Sequence, residues 1–332
     1  MPIEFIRDVP AWERITADWN SLLARCATEN PFLRCEFLRA WWDHLGGGEW
    51  PSGVLQIAVW KEDGAVQGIA PLFRIGGETR LLLIGSVEIS DYLDVMAVPD
   101  RLPAFCVHLL DALAALPPQE FGALDLYNLQ AASPTIPILE QETARRGWTL
   151  VREPLQVCPV IDLPASWEEY LSTLDKKSRH EIRRKLRRAE SGDEKLELKI
   201  QGAREMEEFF RLMACDEHKA AFLTPVMRAQ FRAIAESAER AGMLELAFLE
   251  IGGQKAAAYM NFALGKRIWV YNSGMDPQYA ASSPGWVLLA KLIRRAIEAG
   301  YRAFDFMRGD EPYKFQWGGK GEPISRLTLR RP

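Results

Sequence analysis

The 332-residue chain is poor in the residues that mark several large functional classes. Its five cysteines (Cys26, Cys35, Cys106, Cys158 and Cys215) lie far apart and form no C-x-x-C pair. A disulfide scaffold and a zinc site are disfavoured, and reduced thiols in a cytoplasmic protein are expected. Four scattered histidines provide no H-E-x-x-H, so no metal is expected. The chain also lacks a G-x-S-x-G elbow, a Walker loop and a G-x-G-x-x-G fingerprint, which sets aside hydrolase triads, P-loop ATPases and Rossmann dehydrogenases. No stretch approaches the roughly 18 apolar residues of a membrane span. The first residues carry an acid by Glu4, unlike a signal peptide. Net charge is −4, without the basic excess of a protein that coats nucleic acid, so DNA is not an expected partner.

What is present is a globular composition, 48% apolar and 10% aromatic, enough for two modest domains or one large one. Helical spacing runs over Trp12–Ala24 and Phe37–Leu45, the latter stopped by Gly46-Gly47-Gly48. Asp63-Gly64 between alternating runs predicts a hairpin. Strands are expected at 80–84, 93–98 and 124–129, and helices at 102–116 and 136–146. A long helix is expected from Trp167 to Ser191, stopped by Gly192, with Leu171, Leu174, Ser178, Ile182, Leu186 and Ala189 as its buried stripe. Further helices are expected at 203–221, 225–241 and 284–299, and strands at 267–273 and 303–307.

Residues 55–70 align without gaps on 244–259, placing Asp63-Gly64 over Gly252-Gly253. Each copy is followed by another strand, a helix and a strand reading Ala-Leu-Asp-Leu (123–126) or Ala-Phe-Asp-Phe (303–306). The order predicts two copies of one mixed α/β unit, with domains at 1–158 and 159–332.

Three places carry candidate chemistry. The first is the helix start Ser283-Pro284-Gly285, where a capped first turn without side-chain bulk presents amides to a phosphate. The bland alternative is a capped helix that binds nothing. The second is Phe304 to Gly318, dense in aromatic and basic residues. Here Tyr313 can protonate a leaving group and Lys314 can steady an oxyanion or phosphate. Alternatively, its aromatics are core and Lys314 is solvated. The third is Lys176–Arg188, with eight Lys or Arg in thirteen residues. It is either a solvated helix face or a local site for a phosphorylated substrate, a nucleotide-linked sugar or RNA.

Taken in order, the basic helix, Lys255-Ala-Ala-Ala-Tyr259, Tyr271-Asn-Ser-Gly-Met-Asp276, Ser283-Pro-Gly285 and Phe304-Asp-Phe-Met-Arg-Gly309 resemble a known group. It is the GNAT-superfamily acyltransferases of the CelD/BioF2-like type. The tandem arrangement and Tyr313-Lys-Phe-Gln-Trp-Gly318 also resemble the Fem-type aminoacyl transferases. The resemblance implies two GNAT-like domains, each a mostly antiparallel, splayed sheet flanked by helices. It implies acyl-CoA (acetyl-CoA or longer) as co-substrate, bound by Tyr271, Asn272, Ser273, Ser283, Pro284 and Gly285. The family's usual Gln/Arg-x-x-Gly-x-Gly loop reads Ala280-Ala-Ser-Ser-Pro-Gly285 here. Tyr313 and Lys314 are the implied catalytic residues. Asp305 or Asp276 is the candidate base, and Arg179 and Arg183 face a small-molecule or saccharide acceptor. A Fem-type reading would substitute aminoacyl-tRNA as donor. A third possibility is a non-catalytic binding protein on the same fold. The chain is expected to act as monomer or homodimer.

Overall fold

The computed structural model describes residues 3–191 and 194–332, so the expected helix stop at Gly192 lies outside the described residues. The chain divides into two compact units, Met1–Gln156 with Pro323–Pro332, and Val157–Glu322. Residues 323–332, expected in the second domain, belong to the first unit. The reason is a register that local sequence cannot reveal: Ile324, Leu327 and Leu329 pair with Gln130, Leu126 and Leu124, and all three are fully buried.

In the first unit, strand Ile57–Glu62 folds back on Ala65–Ala70 through Asp63 (φ 50°) and Gly64 (φ 82°). Two successive left-handed residues match the twist of a two-residue hairpin, as the Asp-Gly pair predicts. This hairpin sits in a four-stranded sheet with Glu4–Ile6 and Met96–Ala97. Strands Leu72–Arg74, Arg80–Leu83 and Ala123–Gln130 pair in a second sheet. Helix Leu102–Ala114 and the fully buried Trp12, Trp19 and Trp41 supply much of the apolar filling. The strand expected over 93–98 shrinks to Met96–Ala97. The chain leading into it is irregular but buried: Ile89, Tyr92, Leu93 and Val95 are each at most 2% exposed.

In the second unit, strands Leu244–Ile251 and Gln254–Leu264 turn through Gly252 (φ 58°) and Gly253 (φ 80°), the same device at the repeat-equivalent position. Strand Arg267–Met275 follows, then helix Pro284–Glu298 and the short strand Ala303–Asp305. The helix buries Val287, Leu288, Leu292 and Ile293 against the sheet, and Gly300 (φ 73°) ends it.

The expected helix Trp12–Ala24 is broken at Ile15 into Val9–Glu13 and Thr16–Leu23. Two more in the second unit are broken, and both of those breaks have a capping cause. The 167–191 stretch is Trp167–Thr173 and Lys176–Glu190. Leu174 is extended, and the Asp175 carboxylate accepts from the N–H groups of Lys177 (2.8 Å) and Ser178 (3.0 Å). The buried stripe is nonetheless as expected, apart from a partly buried Leu186. The 203–221 stretch becomes a 3-10 turn, helix Met206–Met213 and helix Glu217–Phe222. Asp216 caps the last piece by accepting from Lys219 N–H at 3.0 Å. A cap of this kind contributes about 1 kcal/mol.

Candidate functional site

Strands Arg267–Met275 and Ala303–Asp305 run parallel for three positions, Arg267↔Ala303, Ile268↔Phe304 and Trp269↔Asp305. Beyond Trp269 they part. The first continues along its hairpin partner to Ala257↔Met275. The second follows another backbone, with Phe306 N–H bonded to Pro159 O and Gly309 N–H to Val157 O. An open cleft of about 430 Å³ occupies this end of the unit. Its walls include Ser273 and Gly274 from the strand, Gly285 and Trp286 from the helix start, and Tyr313 and Trp317 from helix Pro312–Gln316 and the residue after it.

Gly274 is required by close approach. A Cβ there would run into the backbone of Leu212 and Met213, which closes that side of the cleft. Gly285 needs no such freedom, since a Cβ would meet only Met275 Sδ at 3.5 Å, an ordinary contact. The helix start is more closed than a bare amide cradle. Ser283 is left-handed (φ 50°) and makes no side-chain cap, and Pro284 has no N–H. Trp286 N–H donates to Ser283 O at 3.0 Å, which leaves Gly285 to present its amide.

The expected site residues do not all come together. Ser273, Gly285 and Tyr313 line the cleft. Tyr271 is instead packed between Phe231 (ring centroids 5.3 Å) and Phe262 (5.2 Å). The Asn272 side chain accepts from Ser273 N–H at 2.8 Å, so that amide is already engaged.

Lys314 is 4% exposed, and its ammonium is already engaged. It donates to the carbonyls of Arg308 (2.6 Å) and Gly309 (3.4 Å) and pairs with Glu311 at 2.9 Å. This cage fixes the 307–311 turn and removes Lys314 as a free cation at the cleft. Asp305 is fully buried, accepting from Arg267 Nη1 at 3.0 Å and Met307 N–H at 2.8 Å. It joins two strands and does not line the cleft. Asp276 accepts from Gln278 N–H and pairs with Arg211, facing a different hollow.

Arg179 and Arg183 line a separate basic groove of about 600 Å³ with Lys176, His180, Arg187 and Arg294. Arg183 is paired with Glu168 at 2.8 Å, while Arg179 has no ion-pair partner among the described residues.

Two cleft residues escaped the sequence reading. Lys219 donates from Nζ to Ser273 O at 2.6 Å, and burial pushes its ammonium below the ordinary lysine range. Tyr259 is 6% exposed and lies close enough to Tyr313 to disfavour its ionisation. Burial raises both phenols, Tyr259 strongly, so both stay protonated at any physiological pH. Neither hydroxyl has a hydrogen-bond partner among the described residues. The signal for Lys219 was local: an Asp-x-x-Lys cap inside an otherwise helical run. The signal for Tyr259 was weaker, being a tyrosine in an alanine-rich buried strand.

Among the described residues, no helix is long and apolar enough to cross a membrane, and no cluster of three or more His, Cys, Asp or Glu could hold a metal.

Residues 176–315 match the family described as acetyltransferase (GNAT) domain. No curated protein matches the chain. Among solved structures, FemX superposes with a TM-score of 0.67 at 12% identity, covering 98% of this chain and 96% of that one. The C-terminal DUF2156 domain of a putative lysylphosphatidylglycerol synthetase from Agrobacterium fabrum gives 0.56 at 12%, covering 96% and 92%. A tandem GNAT protein from the clavulanic acid biosynthesis pathway gives 0.51 at 12%, covering 99% of each chain. With the diverging strands and the helix between them, these matches give the chain the fold of a tandem GNAT protein, and residues 176–315 are similar to the acetyltransferase (GNAT) domain.

Proposed function

We propose that the second unit is an acyltransferase that moves an acyl group from acyl-CoA directly to an amine or hydroxyl of a small-molecule or sugar-precursor acceptor. The observation that carries this is the open cleft where the two parallel strands part, with Gly285 at one end and a protonated tyrosine, Tyr313, in its wall. The thioester's pantetheine arm would lie along Ser273 and Gly274. The acceptor's nitrogen or oxygen bonds to the carbonyl carbon, the C–S bond breaks, and the departing thiolate takes the Tyr313 proton. The acceptor's surplus proton leaves to water, and water returns a proton to the Tyr313 phenolate. Burial keeps the Tyr313 phenol protonated at neutral pH, so the proton to be donated is in place. The sugar-type acceptor rests on the CelD/BioF2-like resemblance alone.

The test is ligand stabilisation and turnover. Acetyl-, succinyl- and long-chain acyl-CoA at millimolar concentration are each added to the full chain. At a hundred times its dissociation constant, a true donor adds about 2.7 kcal/mol to stability. If none raises the melting temperature and none slows alkylation of Cys215, which is exposed at the cleft, the acyl-CoA reading fails.

The basic groove favours a second reading, a Fem-type transferase whose donor is aminoacyl-tRNA. It requires tRNA binding that weakens steeply with salt and is lost on Lys176→Glu with Lys177→Glu and Arg179→Glu. Salt-independent or absent binding removes it.

A further inference from the structure

The cleft is rich in donors and poor in acceptors. The Tyr259 and Tyr313 hydroxyls and the buried Trp317 indole N–H have no hydrogen-bond partner among the described residues. Lys219 uses one of its three ammonium hydrogens on Ser273 O. The one carboxylate in the lining, Asp216, is exposed and spends itself capping Lys219's own helix. No ion pair joins Asp216 to Lys219 Nζ among the described residues. Of the other charges that reach Lys219, Glu311 is paired with Lys314, and Lys314 is itself caged by carbonyls. The rest of the lining is largely apolar, including Leu212, Met213, Met275 and Leu289.

A half-buried ammonium beside apolar walls and lacking a counter-ion is poorly solvated, and an anionic ligand oxygen would restore what burial removes. We propose that Lys219 is the cationic anchor of the cleft, holding an anionic oxygen on a ligand whose body is apolar. In the transfer reaction that oxygen is the thioester carbonyl's. As the acceptor attacks, the carbonyl π electrons move onto it and Lys219 meets the charge. As the C–S bond breaks, they return. The transfer half of this inference rests on the function proposed above. The anchoring half does not. Lys219 thereby fills the place that the sequence gives to Lys314.

Octanoate and 1-octanol, alike in body and different in charge, separate the alternatives. Binding to the full-length protein is measured at pH 7 by calorimetry and by protection of Cys215 from alkylation. Octanoate should bind at least about tenfold more tightly than octanol. Lys219→Met should erase the difference and leave octanol affinity unchanged, and Lys219→Arg should keep most of it. Equal affinities in the unaltered protein, a preference surviving Lys219→Met, or no binding of either probe overturns the proposal. With a competent acyl-CoA, Lys219→Met should lower kcat about a hundredfold with donor KM within about threefold. An unchanged kcat likewise overturns it. If no acyl-CoA supports turnover, the transferase reading falls, and the octanoate–octanol difference still decides whether Lys219 anchors an anion.

Discussion

The two units solve the same packing problem in parallel and then diverge. In the first, Arg80, Leu81 and Leu82 pair with Ala123, Leu124 and Asp125. In the second, Arg267, Ile268 and Trp269 pair with Ala303, Phe304 and Asp305. In both, the arginine reaches the buried aspartate, at 3.6 Å and 3.0 Å respectively. Past the paired residues the likeness ends. Residues 84–97 of the first unit fold into its own interior, with Ile84, Tyr92, Leu93 and Met96 at most 1% exposed. The matching segment of the second unit is the short Pro277–Ser282 turn, which buries nothing. Phe105 of the first unit's helix packs on Gly68, as the second unit's helix packs on its sheet, and Gly285 at the start of that second helix lines the open cleft. After the paired strands, the first copy continues as buried irregular chain and the second lines an open cleft. A shared pattern therefore does not imply a shared function.

The sharpest break between the units should be catalytic. Tyr313→Phe should lower turnover about 10²–10⁴-fold with no change in melting temperature. Loss of folding together with activity would make Tyr313 structural.

Next in size is the buried ion pair. Arg267→Ala removes the ion pair of the buried Asp305 carboxylate and should cost about 3 kcal/mol in urea unfolding. Arg80→Ala should cost under about 1 kcal/mol, because Arg326 still holds Asp125 through two bonds of 2.7 Å. Equal costs would show that the two pairs carry equal weight.

The first unit should also betray itself by pH. Asp94 is 2% exposed and held by Ser133, Thr135 and Val95, and burial raises it from the ordinary 3.8 to about 6. Between those values the folded chain binds a proton that the unfolded chain has released, so rising pH removes stability. The loss is on the order of 2–3 kcal/mol across the window. The difference in unfolding free energy between the unaltered protein and Asp94→Asn, followed from pH 3.5 to 7, should show that slope.

The smallest effects compare glycines. Gly68→Ala should cost about 2 kcal/mol, since its Cβ would overlap the Phe105 ring. Gly285→Ala should be neutral or stabilising by about 0.5 kcal/mol, and Gly285→Leu should obstruct the cleft and slow Cys215 alkylation.

Much of the fold was legible locally. Asp63-Gly64 and Gly252-Gly253 announce their turns because two left-handed residues in succession call for those types. Tyr313, Ser273 and Gly285 were within reach because each sits in a segment of unusual composition. Asp305 and Lys314 were misplaced for the opposite reason. Their partners, Arg267 and a set of backbone carbonyls, are decided by chain reversal, and a charged residue's availability depends on what it already holds.

Hydrophobic period and turn chemistry, both short-range, determined from sequence alone that the chain is a repeated α/β unit with a glycine-bearing helix start in the second copy. Only the tertiary structure decided where the second copy opens into a cleft and which cation faces the opening. Strand divergence, the buried course of 84–97 and the swing of Lys219 toward Ser273 all arise from contacts between residues distant in the chain, which no local pattern encodes.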